Sequence, residues 1–541
     1  MNIVIFEWRS YSSLFQRINL GIQYIAASLR KAGHNVFVNV FEGQTVEEVY
    51  KAVMSFNADI VAMTLYPENK KVVYELADRI KKENPEIVVI SGGHTATLYA
   101  AKILKEQKNI DIITYGESEL TYIDICQRLE AGKSLDDCRS IYYRKDGYIK
   151  RNSPRDQIDD LDSLPLPAED IIRTLNNSNS PNIFTSVSTS RGCLGNCDFC
   201  VSHRVSKAVK YSRWRGRTPK NILEELIKLQ QSFPDKRVVV EFVDSSFEDP
   251  DPRGKKRIIE LMDLIEKSGI KIAFSFLTRA ESWDAKDAAL IKRMKKLGLF
   301  SVSPGFESGS DNSLISFGKR ASVENNLNAF DVFSKNGVDV CGLIIMFHPY
   351  VTFKDLRHNA DFLVKVGVAY RPLSWLHSLY VFPDTKIFQR IALDGLITGV
   401  DESDFEYTYM FQDGRIEKLS ALINKINGLD SVRRFENTCD KLAYELRLYE
   451  VWKDMYEEFE KISDEMREYK TRYHEMADAV GKRLYETFNT LIDAAENDTL
   501  SHIGDNIVKE WDTLLSDNQV RLEQQWMSSR LKLMRKGIKI L

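Results

Sequence analysis

The sequence predicts an α/β protein in three parts, and three observations carry that reading. Short β-branched runs alternate with helix-like segments over residues 1–150, and the same alternation returns over 183–400. Strand signals then vanish after 407–411, where long charged helical patterns take over. Strand–helix alternation argues parallel sheets with helices on their faces. The expected organisation is a doubly wound domain at 1–150, a linker at 151–182, a second α/β domain at 183–400 and a helical domain at 401–541.

In the first part, strands are expected at 3–6, 35–40, 60–65, 87–91 and 110–115, and helices at 20–31, 46–56, 69–83 and 96–107. Ligands of such sheets sit beyond the carboxyl ends of the strands. Three of those ends stand out: Thr64-Leu65-Tyr66-Pro67, Ser91-Gly92-Gly93-His94, and Tyr115-Gly116-Glu117-Ser118-Glu119. Gly92 and Gly93 let backbone approach a bulky ligand, because no Cβ intervenes; a tight turn explains a Gly-Gly pair equally well. Pro165 and Pro167 preclude regular helix in the linker. In the second part, strands are expected at 182–189, 237–243, 271–277, 299–305, 338–347 and 373–382. The helices between them are amphipathic, as at 221–230 (Ile222, Leu226, Leu229) and 255–266. C-terminal helices are expected at 442–460, 462–487, 507–514 and 526–534, without the sustained spacing of a coiled coil.

The chemistry concentrates in Ser190-Arg191-Gly192-Cys193-Leu194-Gly195-Asn196-Cys197-Asp198-Phe199-Cys200, directly after the first strand of the second part. Cys193, Cys197 and Cys200 stand at C-x₃-C-x₂-C spacing, so three thiolates within eight residues can surround one inorganic cluster. Structural zinc wants four ligands, and an iron–sulfur cubane is commonly held by four thiolates. Three thiolates therefore imply an iron kept open for another molecule. The competing readings are an adventitious cysteine group and a zinc loop completed by His203.

The remaining cysteines, Cys126, Cys138, Cys341 and Cys439, are too scattered for a disulfide framework, which predicts reduced thiols and a cytoplasmic setting. The opening MNIVIFEWRS reads as a strand and not as a signal peptide. No apolar run reaches the roughly 18–20 residues that cross a bilayer. A net charge of −3 offers no overall attraction to nucleic acid or to an anionic membrane. One stripe does stand out: Arg204, Lys207, Lys210, Arg213, Arg215, Arg217 and Lys220, interleaved with Tyr211 and Trp214. Such a stripe can bind phosphates and stack bases, but in a slightly acidic chain it is expected to position cofactors or an anionic substrate. Nucleic acid is not the expected partner. Cys341, inside the fifth expected strand, is read as core filling, with a hydrogen-donor role inside the barrel as the alternative.

The cysteine spacing closely resembles the radical S-adenosylmethionine (radical SAM) superfamily. That resemblance implies a [4Fe-4S] cluster on Cys193, Cys197 and Cys200 whose open iron chelates S-adenosylmethionine. One electron from the cluster then releases a 5′-deoxyadenosyl radical. It also implies that the second part is a partial (βα)₆ barrel of TIM type, with its chemistry at the carboxyl ends of the strands. Several ends look like family motifs. FVDSSFEDP implies Asp244, Ser245 and Ser246 near the methionine end of S-adenosylmethionine; TRAES offers Arg279 to its carboxylate; GFESGS offers Glu307 to its amino or ribose groups. Phe199 resembles the aromatic beside adenine, and FHPYVTFKD and YVFPDTKIF, with Pro349 and Pro383, resemble the last two strand signatures.

The first part resembles the Rossmann-like cobalamin-binding domain found ahead of the barrel in one branch of that superfamily, on GHNV, SGGHTA and YGESE. The resemblance implies cobalamin against Thr64, Tyr66, Ser91, Gly92, Gly93, Tyr115 and Gly116. Two departures stand: no D-x-H-x-x-G motif marks a histidine ligand to cobalt, and Ser118 replaces the usual glycine of YGESE. The activity implied is modification of an unactivated carbon, foremost methylation of a natural product or peptide. Cyclisation, rearrangement or oxidation without methyl transfer is the alternative, and a non-catalytic iron–sulfur electron carrier or sensor is a second class. The partners implied are a small-molecule or peptide substrate and an electron donor such as flavodoxin or ferredoxin.

Overall fold

The computed structural model describes residues 1–9, 18–176, 180–202, 206, 209, 211–212, 214–401 and 405–540. His203, Arg204, Lys207, Lys210 and Arg213 of the expected zinc and basic-stripe readings lie outside them. The chain divides into two compact units: 1–194, 200–229 and 400–407 form one, and 195–199, 230–399 and 408–541 form the other.

In the first unit, β1 (Asn2–Arg9), β2 (Asn35–Glu42), β3 (Ile60–Thr64), β4 (Val88–Gly92) and β5 (Ile112–Thr114) fall where the β-branched runs predict. They are parallel, in the order 2-1-3-4-5. Helices α1 (Leu20–Lys31), α2 (Val46–Met54), α3 (Lys70–Glu83), α4 (His94–Glu106) and α5 (Glu119–Glu130) cover the faces. Periodicity selects the buried side, as in α3, where Val73, Leu76, Ala77 and Ile80 are buried. The strand order reverses between β1 and β3, and that switch point opens a crevice at the carboxyl ends. Beyond β5 the sheet gains an unpredicted antiparallel hairpin, β6 (Ile141–Lys145) and β7 (Tyr148–Arg151), turned at Asp146-Gly147 with φ of 51° and 82°. A loop Asp-Gly between β-prone runs is a hairpin signal that the sequence carried.

The first unit also holds β8 (Asn182–Val187), β9 (Ser190–Gly192) and β10 (Trp214–Gly216); in the second unit, β11 (Arg237–Phe242), β12 (Ile272–Arg279), β13 (Leu299–Gly305) and β14 (Asp339–Val340) run parallel in sequence order. The fold class is that of a doubly wound parallel domain followed by a partial barrel and a helical region. The last two expected strands are the exception. Of 338–347 only β14 and a bridge from Ile344 to Glu307 form, and of 373–382 only a bridge from Ser378 to Phe347. Pro372 sits at the N1 position of a short helix, Pro372–Leu376, where its fixed φ suits helix and not strand.

Four α-helices follow among the described residues: Gly414–Asn427, Asp430–Met455, Ser463–Glu496 and Leu500–Arg535. The last unites the two segments expected at 507–514 and 526–534, because Leu515, Gln519 and Leu522 continue the buried stripe between them. These helices meet the amino-terminal ends of the barrel strands. Arg237, opening β11, donates to the Lys539 carbonyl at 2.6 Å and lies over the rings of Trp452 and Phe459. Lys271, just before β12, donates to the Met455 carbonyl at 2.8 Å, and Asp339, opening β14, pairs with Arg447 at 2.6 Å. The helical domain is therefore a floor, at the end of the barrel opposite the one that carries chemistry. Trp452, wholly buried in that floor, gives a direct test: Trp452→Ala is expected to cost about 3–5 kcal/mol, read as a lower denaturation midpoint.

Cys341 belongs to the same end. Its thiol donates to Asp339 Oδ2 at 3.2 Å and receives a contact from Ser301 Oγ at 3.6 Å, and burial pushes its pKa up. This is the packing role; the donor role at the barrel's reactive end does not fit its position.

Candidate functional site

The carboxyl ends in the first unit hold the cobalamin-binding candidates. Asn19 caps α1, accepting from the Ile22 amide at 3.3 Å, and its Nδ2 reaches Thr64 Oγ1 and Tyr66 OH, each at 3.3 Å. Asn69 accepts from the Tyr66 amide at 2.9 Å and donates to the carbonyls of Thr64 and Trp8 at 3.0 and 3.2 Å. Glu7 and Arg9, at the end of β1, pair at 2.7 Å. Glu7, Arg9, Asn19 and Asn69 thus join Thr64 and Tyr66 around the carboxyl ends of β1 and β3. An Asn directly ahead of an apolar helical run was the legible signal for Asn19.

The other candidates divide. Gly93 is exposed, has φ of +102°, and would bring a Cβ within 3.2 Å of Thr64 Cγ2. It leads into α4, whose first N–H groups point out of the sheet end. Gly92 packs so that a Cβ would lie 2.7 Å from Thr114 Oγ1. Of the pair, Gly93 is the exposed, side-chain-free backbone beside Thr64 that fits close approach of a bulky ring system. Ser91 and Tyr115 do not face it. Ser91 is buried and donates to the Met63 carbonyl at 3.0 Å, and Tyr115 is buried and donates to the Asn152 carbonyl at 2.5 Å. Gly116 has φ of +74°, and the space that a Cβ would need is filled by Tyr211 and Val209.

The two glutamates of YGESE have a definite task. Glu117 pairs with Arg215 at 2.7 Å and Arg191 at 3.1 Å, and Glu119 pairs with Arg191 at 2.6 Å. Ser118 between them has an ordinary φ of −112°, so glycine is not required there. Arg191 lies on β9 (Ser190–Gly192), which pairs antiparallel with β10 (Trp214–Gly216) two residues before Cys193. The loop after β5 thereby grips the strand that leads into the cysteines. Of the described members of the basic stripe, Arg215 pairs with Glu117 and Arg217 with buried Glu225, so both are structural, while Lys220 is exposed.

Burial raises the Glu117 carboxyl, but Arg215 and Arg191 outweigh it and hold its pKa below the usual range. A depressed carboxylate contributes stability that is present above its unfolded pKa, about 4.3, and is lost as pH falls through the lower folded value. The thermal midpoint of the apoprotein is expected to drop as pH falls below about 4. Arg191→Met should flatten that dependence and lower the midpoint at pH 7.

Cys193, Cys197 and Cys200 are each partly exposed. Among the described residues, no three His, Cys, Asp or Glu side chains are grouped as ligands of a single metal ion. In the second unit, the segment after Cys197 is clamped from two sides. The Asp198 amide donates to the Phe317 carbonyl at 2.8 Å and its carbonyl accepts from Ile387 at 3.1 Å, while Lys386 pairs with its carboxylate at 3.2 Å. Phe199 rests edge-on against Phe317 with centroids 5.6 Å apart. Phe317 in turn meets His348 at 4.8 Å; burial pushes that histidine down to about 3, so it packs as a neutral ring.

The barrel candidates at the strand carboxyl ends fare unequally. Arg279 Nε lies 3.2 Å from Glu248 and its Nη2 3.0 Å from Asp249. Glu248 also accepts from Ser246 Oγ at 2.8 Å, Thr278 Oγ1 at 2.7 Å and Ser282 Oγ at 3.0 Å. The expected carboxylate donor is therefore engaged by its own loop. Asp244 is buried and Ser245 exposed. Glu307 has φ of +64°, unusual for a non-glycine residue. Its amide donates to the Leu343 carbonyl at 3.1 Å and its carbonyl accepts from Ile345 at 2.7 Å. Its carboxylate, partly exposed, lies 3.5 Å from Lys319 Nζ.

Residues 12–125 match the B12 binding domain family and residues 187–363 the radical SAM superfamily. The chain belongs to the cobalamin-binding-domain-containing radical SAM enzymes. An uncharacterized methyltransferase of Pyrococcus horikoshii is 27% identical over 381 residues, covering 70% of this chain and 79% of the relative. The 4′-phospho-dehydrooxetanocin synthase of Priestia megaterium is 24% identical and covers 66% of this chain, but only 50% of the synthase. Among solved structures, the cobalamin-dependent S-adenosylmethionine radical enzyme OxsB with aqua-cobalamin and S-adenosylmethionine bound superposes with a TM-score of 0.67 at 19% identity. That superposition covers 99% of this chain and 81% of OxsB, and so includes the helical floor. The cofactors of this radical SAM enzyme are an iron–sulfur cluster, S-adenosylmethionine and cobalamin. No helix among the described residues is long and apolar enough to cross a membrane.

Proposed function

We propose that this radical SAM enzyme methylates an unactivated carbon of a natural-product or peptide substrate. Cys193, Cys197 and Cys200 would hold the cluster, and the Thr64, Tyr66 and Gly92–Gly93 crevice would hold cobalamin. When bound, the cluster supplies the electron that cleaves S-adenosylmethionine, and cobalamin supplies methyl-transfer chemistry. The chain's own part is positioning and exclusion of water. Glu117 and Glu119 fix the strand before the cysteines through Arg191; Phe317 and Ile387 fix the segment after Cys197; Glu307 presents a carboxylate at the end of β13. The observation that carries the methylation reading is the pairing of a B12 binding domain with a radical SAM domain in a chain whose 27%-identical relative is named a methyltransferase.

The reading is tested on enzyme purified without oxygen from cells supplied with cobalamin. With reductant and methyl-labelled S-adenosylmethionine, both 5′-deoxyadenosine and labelled corrin with S-adenosylhomocysteine are expected. Absence of corrin bands in the ultraviolet–visible spectrum, or 5′-deoxyadenosine without label on the corrin, would move the assignment to cyclisation or rearrangement. The synthase among the relatives keeps that second reading in view.

A further inference from the structure

We infer that Phe405 positions the cobalamin cradle from a distance, by holding a kink at Tyr99 in the helix that Gly93 opens. The inference rests on the Gly92–Gly93 backbone being where cobalamin binds. Phe405 lies at the tip of a hairpin, β15 (Ile397–Asp401) and β16 (Glu406–Tyr409), and residues 400–407 of that hairpin belong to the first unit. Phe405 is 1% exposed and forms part of the first unit's apolar core. Its backbone is left-handed, with φ of +55°, which is uncommon for an aromatic residue. The socket is built by α3 and α4. The Tyr99 ring packs on the Phe405 ring with centroids 4.7 Å apart, and its hydroxyl donates to the Phe405 carbonyl. Lys70 and Lys102 lie over the same ring at 4.4 and 5.5 Å. Both also pair with Glu106, at 3.2 and 3.8 Å.

Tyr99 is where α4 departs from regular geometry, with φ of −119° and ψ of 19° inside the helix. Sharp kinks trace to proline, to glycine or serine, to a π-bulge, or to a neighbour that disturbs the hydrogen-bond ladder. The stretch HTATLYAAKILKE holds no proline, glycine or serine. The outside partner at the departing residue is Phe405, 306 positions along the chain. Beyond the kink, Ala100, Ile103 and Leu104 are buried and fix the body of the helix. Ahead of it, residues 94–98 lead back to Gly93, where a Cβ would lie 3.2 Å from Thr64 Cγ2. The kink therefore sets the gap between Gly93 and Thr64. Without the hold, α4 relaxes toward a straight helix, and fewer molecules keep the cradle in its binding geometry. Apparent affinity falls by that fraction. Phe405 acts through Tyr99, so it is a positioning residue.

The test titrates corrin-free wild type, Tyr99→Phe, Phe405→Ala and Val53→Ala with aquacobalamin by equilibrium dialysis. Hydrogen exchange of the 94–99 amides is read on the same samples. Tyr99→Phe removes the hydrogen bond and keeps the ring, and is expected to weaken aquacobalamin about 2–10-fold. Phe405→Ala loses the ring pair and the held carbonyl together, and is expected to weaken it about 10–100-fold, with faster exchange at 94–99. Val53→Ala opens the same core from α2 and is the control for lost stability; it should bind aquacobalamin as wild type does. After anaerobic reconstitution, iron content and S-adenosylmethionine affinity should match wild type in all three variants. Wild-type affinity in Phe405→Ala, or equal weakening in Val53→Ala, overturns the inference. Where Phe405→Ala does not fold, Tyr99→Phe decides, and unchanged affinity there overturns it. A wild type that takes up no aquacobalamin fails the cobalamin reading itself, before any variant is compared.

Discussion

Cys197→Ala is expected to leave a folded chain that no longer assembles a competent cluster. Cys197 stands in the middle of the motif, and two remaining thiolates cannot hold a cubane whose usual complement is four ligands. The brown absorbance and most of the iron should go, and 5′-deoxyadenosine should fall to the level without enzyme. The neighbouring backbone has independent support, since Asp198 is bonded to Phe317 and Ile387, so circular dichroism should match wild type. Cys341→Ala is the control. That thiol bonds to Asp339 at the strand starts, and its loss should spare both iron and 5′-deoxyadenosine. A Cys197→Ala protein with full iron and undiminished cleavage would remove the basis for assigning the cluster to this loop.

The second large effect is structural. Glu248 is fully buried and accepts from Ser246, Thr278, the Arg279 amide at 3.1 Å, Arg279 Nε and Ser282, so it organises two barrel loops at once. Glu248→Ala leaves a partly buried guanidinium short of one counter-charge and orphans several hydroxyls, which is expected to cost about 3–5 kcal/mol. Glu248→Gln keeps an acceptor and should cost less. Denaturation midpoints of the two variants measure the difference, and an Ala variant as stable as wild type would mean that the loops are held by something else.

How legible was all this beforehand? The β-branched runs and Gly/Pro punctuation placed β1–β5 and α1–α4 closely, because a two-sided buried strand must be apolar throughout and a covering helix must be apolar on one side. The cysteine spacing pointed to the superfamily whose model the chain matches. The β6–β7 hairpin was missed although Asp146-Gly147 announced it. The fifth and sixth expected barrel strands form only as fragments: apolar runs at 338–347 and 373–382 look like strands, yet Pro372 starts a helix and the Glu307–Ile344 bridge stands isolated.

Side-chain roles were less legible than elements. Ser91 and Tyr115 sit at strand ends as expected, but their hydroxyls are consumed by the Met63 and Asn152 carbonyls. Arg279 suits a carboxylate by type, and the carboxylates it finds are Glu248 and Asp249. Lys319 stood in an unremarked FGKR run, and its meeting with Glu307 spans a β13-to-helix turn that no local pattern encodes.

By itself, then, the sequence determined which cofactors this chain handles and in what order its α/β parts come, because periodicity and ligand spacing are local properties. Only the tertiary structure decided that YGESE grips Arg191, that the C-terminal helices close the strand starts at Arg237, Lys271 and Asp339, and that Lys319 shares an end of β13 with Glu307. Each of those is a charged side chain meeting a partner that no local pattern in the sequence encodes. Such a partner is chosen by burial, which leaves no unpaired charge in the interior, and burial exists only once the chain has folded.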